Sequence, residues 1–403
     1  VHQDKHERSV FASRVWARKL AALSLLCLGA QLGSAAFASA VFANPVITPI
    51  DTGAVPGFLE LKGDSGSANA RSARSAPAKK LLRKELVTGE IFIDIYKHVL
   101  PTTPPRSAWS IVTDGLKKHG QSEVIMTIMQ EPGETDDQVP VDALLYLRLL
   151  PDLAKQNKIV RGGERTALSG REFLAPQFKG LLYVPAESFN GIELPADTLA
   201  AVPVTGPELQ VWELSGPSRV MARLDKAGRY YPYLTWCDRK RESVFTQEEA
   251  DTVAKSSITK SVHLLAFDAG VLRQKDKCVL YLSKAAGIKL HEDLRHVPAG
   301  AAIMLSLGVP SVANALMVWN PPGASEIDAV GPAGSDATRL AGTFIELLPG
   351  LPDNEVHIVE DGFALMLTRE KWDELKECLK TGAEFDLPLK GKSNAHFLLQ
   401  WAE

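Results

Sequence analysis

Residues 362–389 read GFALML, TREKWDELKECLKT and GAEFDLPL, and they decide the fold class. The first part is an apolar run of strand character. Thr368 then stands where a helix N-cap belongs, and Trp372, Leu375 and Leu379 recur on one side of the turn that follows. Lys376 and Lys380 suit the negative end of a helix, and Gly382 supplies the C′ position that favours a left-handed backbone. The last part reads as a second strand. Residues 278–282, 283–295 and 301–307 give the same order of strand, helix and strand, so the C-terminal half carries a weak internal repeat.

Working back from this half, two capping boxes mark helix starts. Thr205 precedes Glu208 by three positions, with Gly216 and Pro217 read as the end of that helix, and Thr246 stands in the same relation to Glu249. Residues 89–100, 123–129 and 180–185 have the apolar, β-branched character of strands. Residues 141–157 have helical spacing at Leu144, Leu147 and Leu150, with Pro151 expected to kink the helix or start another. The fold expected is α+β, with mixed sheets flanked by helices in two lobes. A chain of 403 residues exceeds what one hydrophobic core usually serves.

The N-terminal segment has a different character. Lys5, Arg8, Arg14, Arg18 and Lys19 precede an uncharged apolar run over residues 20–43, which closes on Ala38, Ser39 and Ala40. That is the order of an export signal, leaving a mature start at Val41 or Asn44, and it is also long enough for an uncleaved membrane anchor. Residues 44–85 read as a flexible Gly-, Ser- and Ala-rich linker. The two lobes are then residues 86–240 and 241–403. Without residues 1–43 the formal charge moves from −3 to −6, which gives no electrostatic footprint for nucleic acid and, beyond the possible anchor, none for a membrane. Cys237, Cys278 and Cys378 form neither a disulfide framework nor a C-x-x-C pair, and no cofactor is expected.

Trp109 with Leu116 in WSIVTDGL, the strand over residues 123–128, the helix around Leu144 to Leu150, the strand over residues 180–185, and VPVTGPEL from Val202 to Leu209 together resemble the suppressor-of-fused-like domain. The resemblance spans residues 86–224. It implies a mixed α/β domain that binds another protein rather than catalysing a reaction, and bacterial relatives imply an immunity or interaction role.

Several motifs invite chemistry. Ser65 in GDSG mimics a serine-protease loop but has no globular sequence before it. His291 and His296 are five apart, whereas a zinc helix needs them one turn apart. His357 and Asp361 fall on one side of an extended segment and make a candidate acid/base or metal pair, against the simpler reading of a polar turn. The loop from Gly331 to Gly342 could cradle an anion but lacks the P-loop ending.

The most distinctive stretch holds Arg229, Tyr230, Tyr231, Tyr233, Trp236 and Arg239, with Lys240 and Arg241. Rings beside guanidinium groups suit a protein-binding hot spot, and equally the packing of a joint between lobes. The reading is therefore an exported, non-enzymatic interaction module with an unidentified protein partner, immunity-like in its finer form. Its alternatives are a hydrolase using His357 and Asp361 or the Gly331 loop, and an envelope scaffold protein.

Overall fold

The structure, a computed structural model, describes residues 78–168, 172–186, 192–230, 234–253, 261–266, 269–307, 315–320, 327–331, 335–390 and 395–402. The expected export signal, Ser65 and most of the expected linker lie outside these residues. Among them no helix is long and apolar enough to cross a membrane.

The first body runs through β1 (Lys79–Val87), β2 (Ile91–Leu100), β3 (Arg106–Asp114), β4 (Val124–Met129), α1 (Val141–Lys155), β5 (Arg165–Ala167), β6 (Phe178–Pro185), β7 (Leu199–Thr205), α2 (Gly206–Ser215), α3 (Pro217–Gly228), β8 (Trp236–Cys237) and α4 (Gln247–Val253). Its sheet has the order β1-β2-β3-β4-β7-β6-β5. Along one edge β4 pairs in parallel with β7 at Val124 and Ile125, and with β8 at Thr127 and Ile128. Alternation along the strands gives the sheet two apolar faces. Ile91, Ile93, Ile95 and Trp109 meet Leu147 of α1 on one side. Ala108, Val112, Ile125 and Val202 meet Val211 of α2, Val220 of α3 and Ala250 of α4 on the other.

The second body holds β9 (Val262–Ala266), β10 (Ala269–Gln274), β11 (Lys277–Ser283), α5 (Lys284–Leu294), β12 (Ile303–Leu307), β13 (Leu316–Trp319), β14 (Asp328–Val330), β15 (Arg339–Gly342), β16 (Phe344–Pro349), β17 (Glu355–Val359), β18 (Gly362–Leu367), α6 (Arg369–Thr381), β19 (Phe385–Pro388) and β20 (His396–Ala402). Its two sheets run β14-β13-β15-β10-β11-β20-β19 and β17-β18-β16-β12-β9. They share one apolar core, which Leu290 of α5 and Leu375 and Leu379 of α6 complete. The two repeated units cross between the sheets in opposite directions. β11 leads through α5 into β12 of the second sheet, and β18 leads through α6 back to β19 of the first. The helices pack side by side, with His291 Nδ1 3.1 Å from the Lys376 carbonyl. Gly287 permits the docking of α5, since a Cβ there would fall 2.3 Å from the Trp401 ring.

The mixed α+β class is therefore observed, with four differences in detail. Strand β1 begins at Lys79, inside the stretch read as linker. It is an edge strand whose Lys80 and Arg83 pair with Asp94 on β2, so basic residues that suggest a tether instead guard a sheet edge. Helix α1 continues through Pro151 as one element. Helix α3 was not expected at all. And α4 belongs to the first body, past the boundary expected at residue 240, because Phe245 and Ala250 are buried in that body's core.

Within the first sheet, His98 Nε2 lies 2.8 Å from Ser110 Oγ, which lies 2.7 Å from Thr127 Oγ1, a buried polar chain across three strands. Burial pushes the imidazole from 6.5 down to about 4. A depressed histidine is neutral in the folded state while the unfolded chain takes a proton, so stability is full above pH 6.5 and is lost as pH falls to about 4. The loss expected is about 3 kcal/mol. Urea denaturation across this window, compared between the native chain and His98→Gln, should show that arm of the pH profile only in the native chain. Parallel profiles would contradict it.

Candidate functional site

Among the described residues of the aromatic and basic stretch, Tyr230, Trp236, Arg239 and Arg241 pack or pair within the first body. Arg229 closes α3 with φ 48 and is exposed. Tyr230 is half-buried and meets Trp236 edge-on, with centroids 4.6 Å apart. Trp236 is 5% exposed, seated in the core that α3 helps to close. Arg239 pairs with Glu134. Arg241 grips the wholly buried Glu208 with two hydrogen bonds of 2.6 and 2.7 Å, and that same carboxylate accepts the Thr205 and Val244 amides at 2.8 and 2.9 Å. The capping residue of α2 thus doubles as the anchor that fastens the stretch. Tyr231 and Tyr233 lie outside the described residues.

The two bodies join through α3 instead. Arg219, Ala222, Arg223 and Lys226 share one face at a spacing of three and four. Arg219 pairs with Glu360. Ala222 is buried among Leu272, Met317, Trp319 and Ala341. The Arg223 guanidinium and the Lys226 ammonium each lie 4.8 Å from the centroid of the Trp319 ring, and Lys226 pairs with Asp328 at 3.3 Å. The opposite face, Val220, Met221 and Leu224, belongs to the core of the first body.

The remaining candidates separate. His357 Nε2 lies 2.9 Å from Glu355 Oε2 in a partly exposed pair. Asp361 is wholly buried, bonded to the Thr343 hydroxyl and close to Arg219. The period-two spacing that would align His357 with Asp361 breaks at Glu360, which takes φ 50 and bridges to Asn320. In the Gly331 loop, the Thr338 amide and hydroxyl both donate to Asp336 Oδ1, at 2.8 and 2.7 Å, so these donors hold the entry to β15 rather than an anion. His291 sits between α5 and α6, whereas His296 lies beyond the end of α5. Among the described residues no group of three or more His, Cys, Asp or Glu could hold a metal ion.

Among the described residues, the second body also presents a strand at the edge of its sheet. Among the described strands, β9 is the last of its sheet, paired in parallel with β12 on one side. Beside it lies an open groove of about 400 Å³, lined by β9 from Val262 to Leu265, His263 included, by Lys289 and Asp293 of α5, and by His296 and Val297. Leu265 is 43% exposed, and Lys289 pairs with Asp293 along the opposite wall. The sequence signal for this edge was present in VHLLA over residues 262–266. Isolated between segments of no clear period, it was not read as a strand.

No family model matches the chain. Human zinc finger FYVE domain-containing protein 9 is 23% identical over 323 residues, covering 74% of this chain and 22% of that protein's length. Among solved structures, Drosophila Suppressor of Fused aligns with a TM-score of 0.33 and 10% identity, over 77% of this chain and 89% of that one. A putative suppressor-of-fused homologue from Neisseria gonorrhoeae aligns with a TM-score of 0.28 and 16% identity, over 42% and 87%.

Truncating a buried ring leaves a cavity, so Trp236→Ala should lower unfolding stability by about 3–5 kcal/mol in urea denaturation. A midpoint equal to that of the native chain would show that Trp236 is not a core residue.

Proposed function

We propose that this protein is a non-enzymatic protein-interaction module that takes an extended segment of a partner protein along β9. The observation that carries the reading is the edge position of β9 beside a groove that combines exposed apolar side chains with His263, Lys289, Asp293 and His296. An edge strand offers a row of backbone donors and acceptors, and an added strand satisfies them while its alternate side chains enter adjacent pockets. Leu265 supplies exposed apolar surface for one such side chain. The Lys289–Asp293 pair forms a polar rim suited to the partner's neighbouring residues. The suppressor-of-fused resemblance supports a binding role over a catalytic one.

The finer form of the reading is an exported, immunity-like module whose partner meets it outside the cytoplasm. Its support is the basic, apolar and small-residue order of residues 1–43 for export, and the suppressor-of-fused resemblance alone for the immunity-like role.

The test uses a photo-crosslinking residue at position 265 in the full chain, expressed in its own host, with mass spectrometry of the crosslinked peptide. One extended partner segment should be captured reproducibly. Leu265→Arg should weaken binding of that peptide at least tenfold, or about 1.4 kcal/mol. Val141→Arg, which alters an exposed apolar residue on α1, should leave it unchanged. Equal binding by the Leu265→Arg chain would contradict a site at β9.

A further inference from the structure

The edges of the two bodies are protected unequally. β1 carries Lys80 and Arg83, paired with Asp94, and its register with β2 shifts past Lys80 and past Glu85, all of which discourage a further strand. β9 reads VHLLA and holds no Lys, Arg, Asp, Glu or Pro. Its register with β12 is unbroken from Val262 to Ala266. Such an edge is a template for another strand.

Hydrogen-bond direction fixes which residues of β9 would pair. The Val262 amide donates to the Ala302 carbonyl at 2.8 Å, so the backbone of Val262 turns towards β12. Successive residues of a parallel ladder alternate in this respect, which directs the amides and carbonyls of His263 and Leu265 to the open side. Two strands with this spacing match each other when antiparallel. With a twofold axis at Leu264, His263 of one copy and Leu265 of a second copy exchange both backbone bonds, and the symmetry repeats the pair. The Leu265 side chain, 43% exposed, is covered in the process.

Helix α5 supplies the charge complement. Lys289 and Asp293 stand one turn apart on the wall beside the open edge, with side chains 65% and 33% exposed. A twofold axis normal to the sheet sets two copies of α5 antiparallel on the same side. Lys289 then faces Asp293 of the second copy, and Asp293 faces its Lys289, so one charge of each sign makes the wall self-complementary. We propose that this chain forms a symmetric dimer in which β9 pairs antiparallel with β9 of a second copy. The interface is closed, so assembly stops at two chains. The dimer needs only the edge and the wall; that it withholds β9 from a partner segment until the two copies part rests on the reading given above.

The test is analytical ultracentrifugation of the full chain over about a hundredfold range of concentration, since mass action favours the dimer as concentration rises. The mass should move from one chain to two. Leu265→Arg should stay monomeric throughout. Lys289→Glu and Asp293→Lys should each weaken the dimer about tenfold or more, because each places like charges opposite one another twice. Mixing these two variants should restore a heterodimer, since the acidic wall of one then faces the basic wall of the other. A native chain that stays monomeric, or a mixture that associates no better than either variant alone, would overturn the dimer, and the mixture decides the matter even if Leu265→Arg fails to fold. Position-265 crosslinking separates this outcome from that of the partner reading. Capture of a foreign segment by a monomeric chain would sink the dimer and leave β9 as a partner site. A dimer crosslinked to its own second copy, with no foreign segment captured in the host, would support the dimer and sink the partner site. A crosslink confined to one chain would overturn both.

Discussion

Everything in this molecule that depends on how its two bodies meet depends on α3. The helix is twelve residues long and is divided lengthwise between two cores. Val220, Met221 and Leu224 close the first body's sheet, while Arg219, Ala222, Arg223 and Lys226 meet the second body through one ion pair, one small apolar contact and two cations over the Trp319 ring. Ala222 is the pivot of that contact, because any larger side chain would push Trp319 and Met317 away. A cation stacked on a ring and partly withdrawn from water contributes more than an exposed pair does, so Arg223 and Lys226 hold the joint chiefly through Trp319.

The second body depends in turn on the crossing of its two repeated units. Because α5 and α6 each carry the chain from one sheet to the other, both sheets face a common core and their outer strands become edges. β9 is such an edge, and its position beside α5 creates the groove at which partner binding is proposed. Of the aromatic and basic stretch, Tyr230, Trp236, Arg239 and Arg241 pack or pair within the first body, while Arg229 stays exposed. Trp236 belongs to the core that α3 helps to close, and Arg241 neutralises Glu208 at the start of α2.

How far the sequence discloses this structure varies with the kind of signal. Helix α6 was fully legible, because Thr368, Leu375, Leu379 and Gly382 each report a local requirement of a helix, and the structure has Thr368 as N-cap, both leucines buried and Gly382 in the left-handed region. The paired strand, helix and strand units were legible as local order, yet nothing in them shows that they cross between sheets. Helix α3 was missed for a physical reason. Gly216 and Pro217 end α2, but proline at the first helical position also starts a helix, and here it does both. Pairing His357 with Asp361 failed because alternation assumes an unbroken strand, and Glu360 in a left-handed conformation turns Asp361 into the joint. The ion pair there could not be read from spacing, since Arg219 and Glu360 meet only through tertiary packing.

The central claim, that α3 is shared by both bodies and couples them, is tested most directly by denaturant unfolding of an Ala222→Glu chain. The transition is followed by far-ultraviolet circular dichroism and by tryptophan fluorescence together. The native chain should unfold in one transition on which the two probes coincide, and Ala222→Glu should split it into two, with secondary structure retained at zero denaturant. A variant that unfolds in one coincident transition at the native midpoint would contradict the coupling.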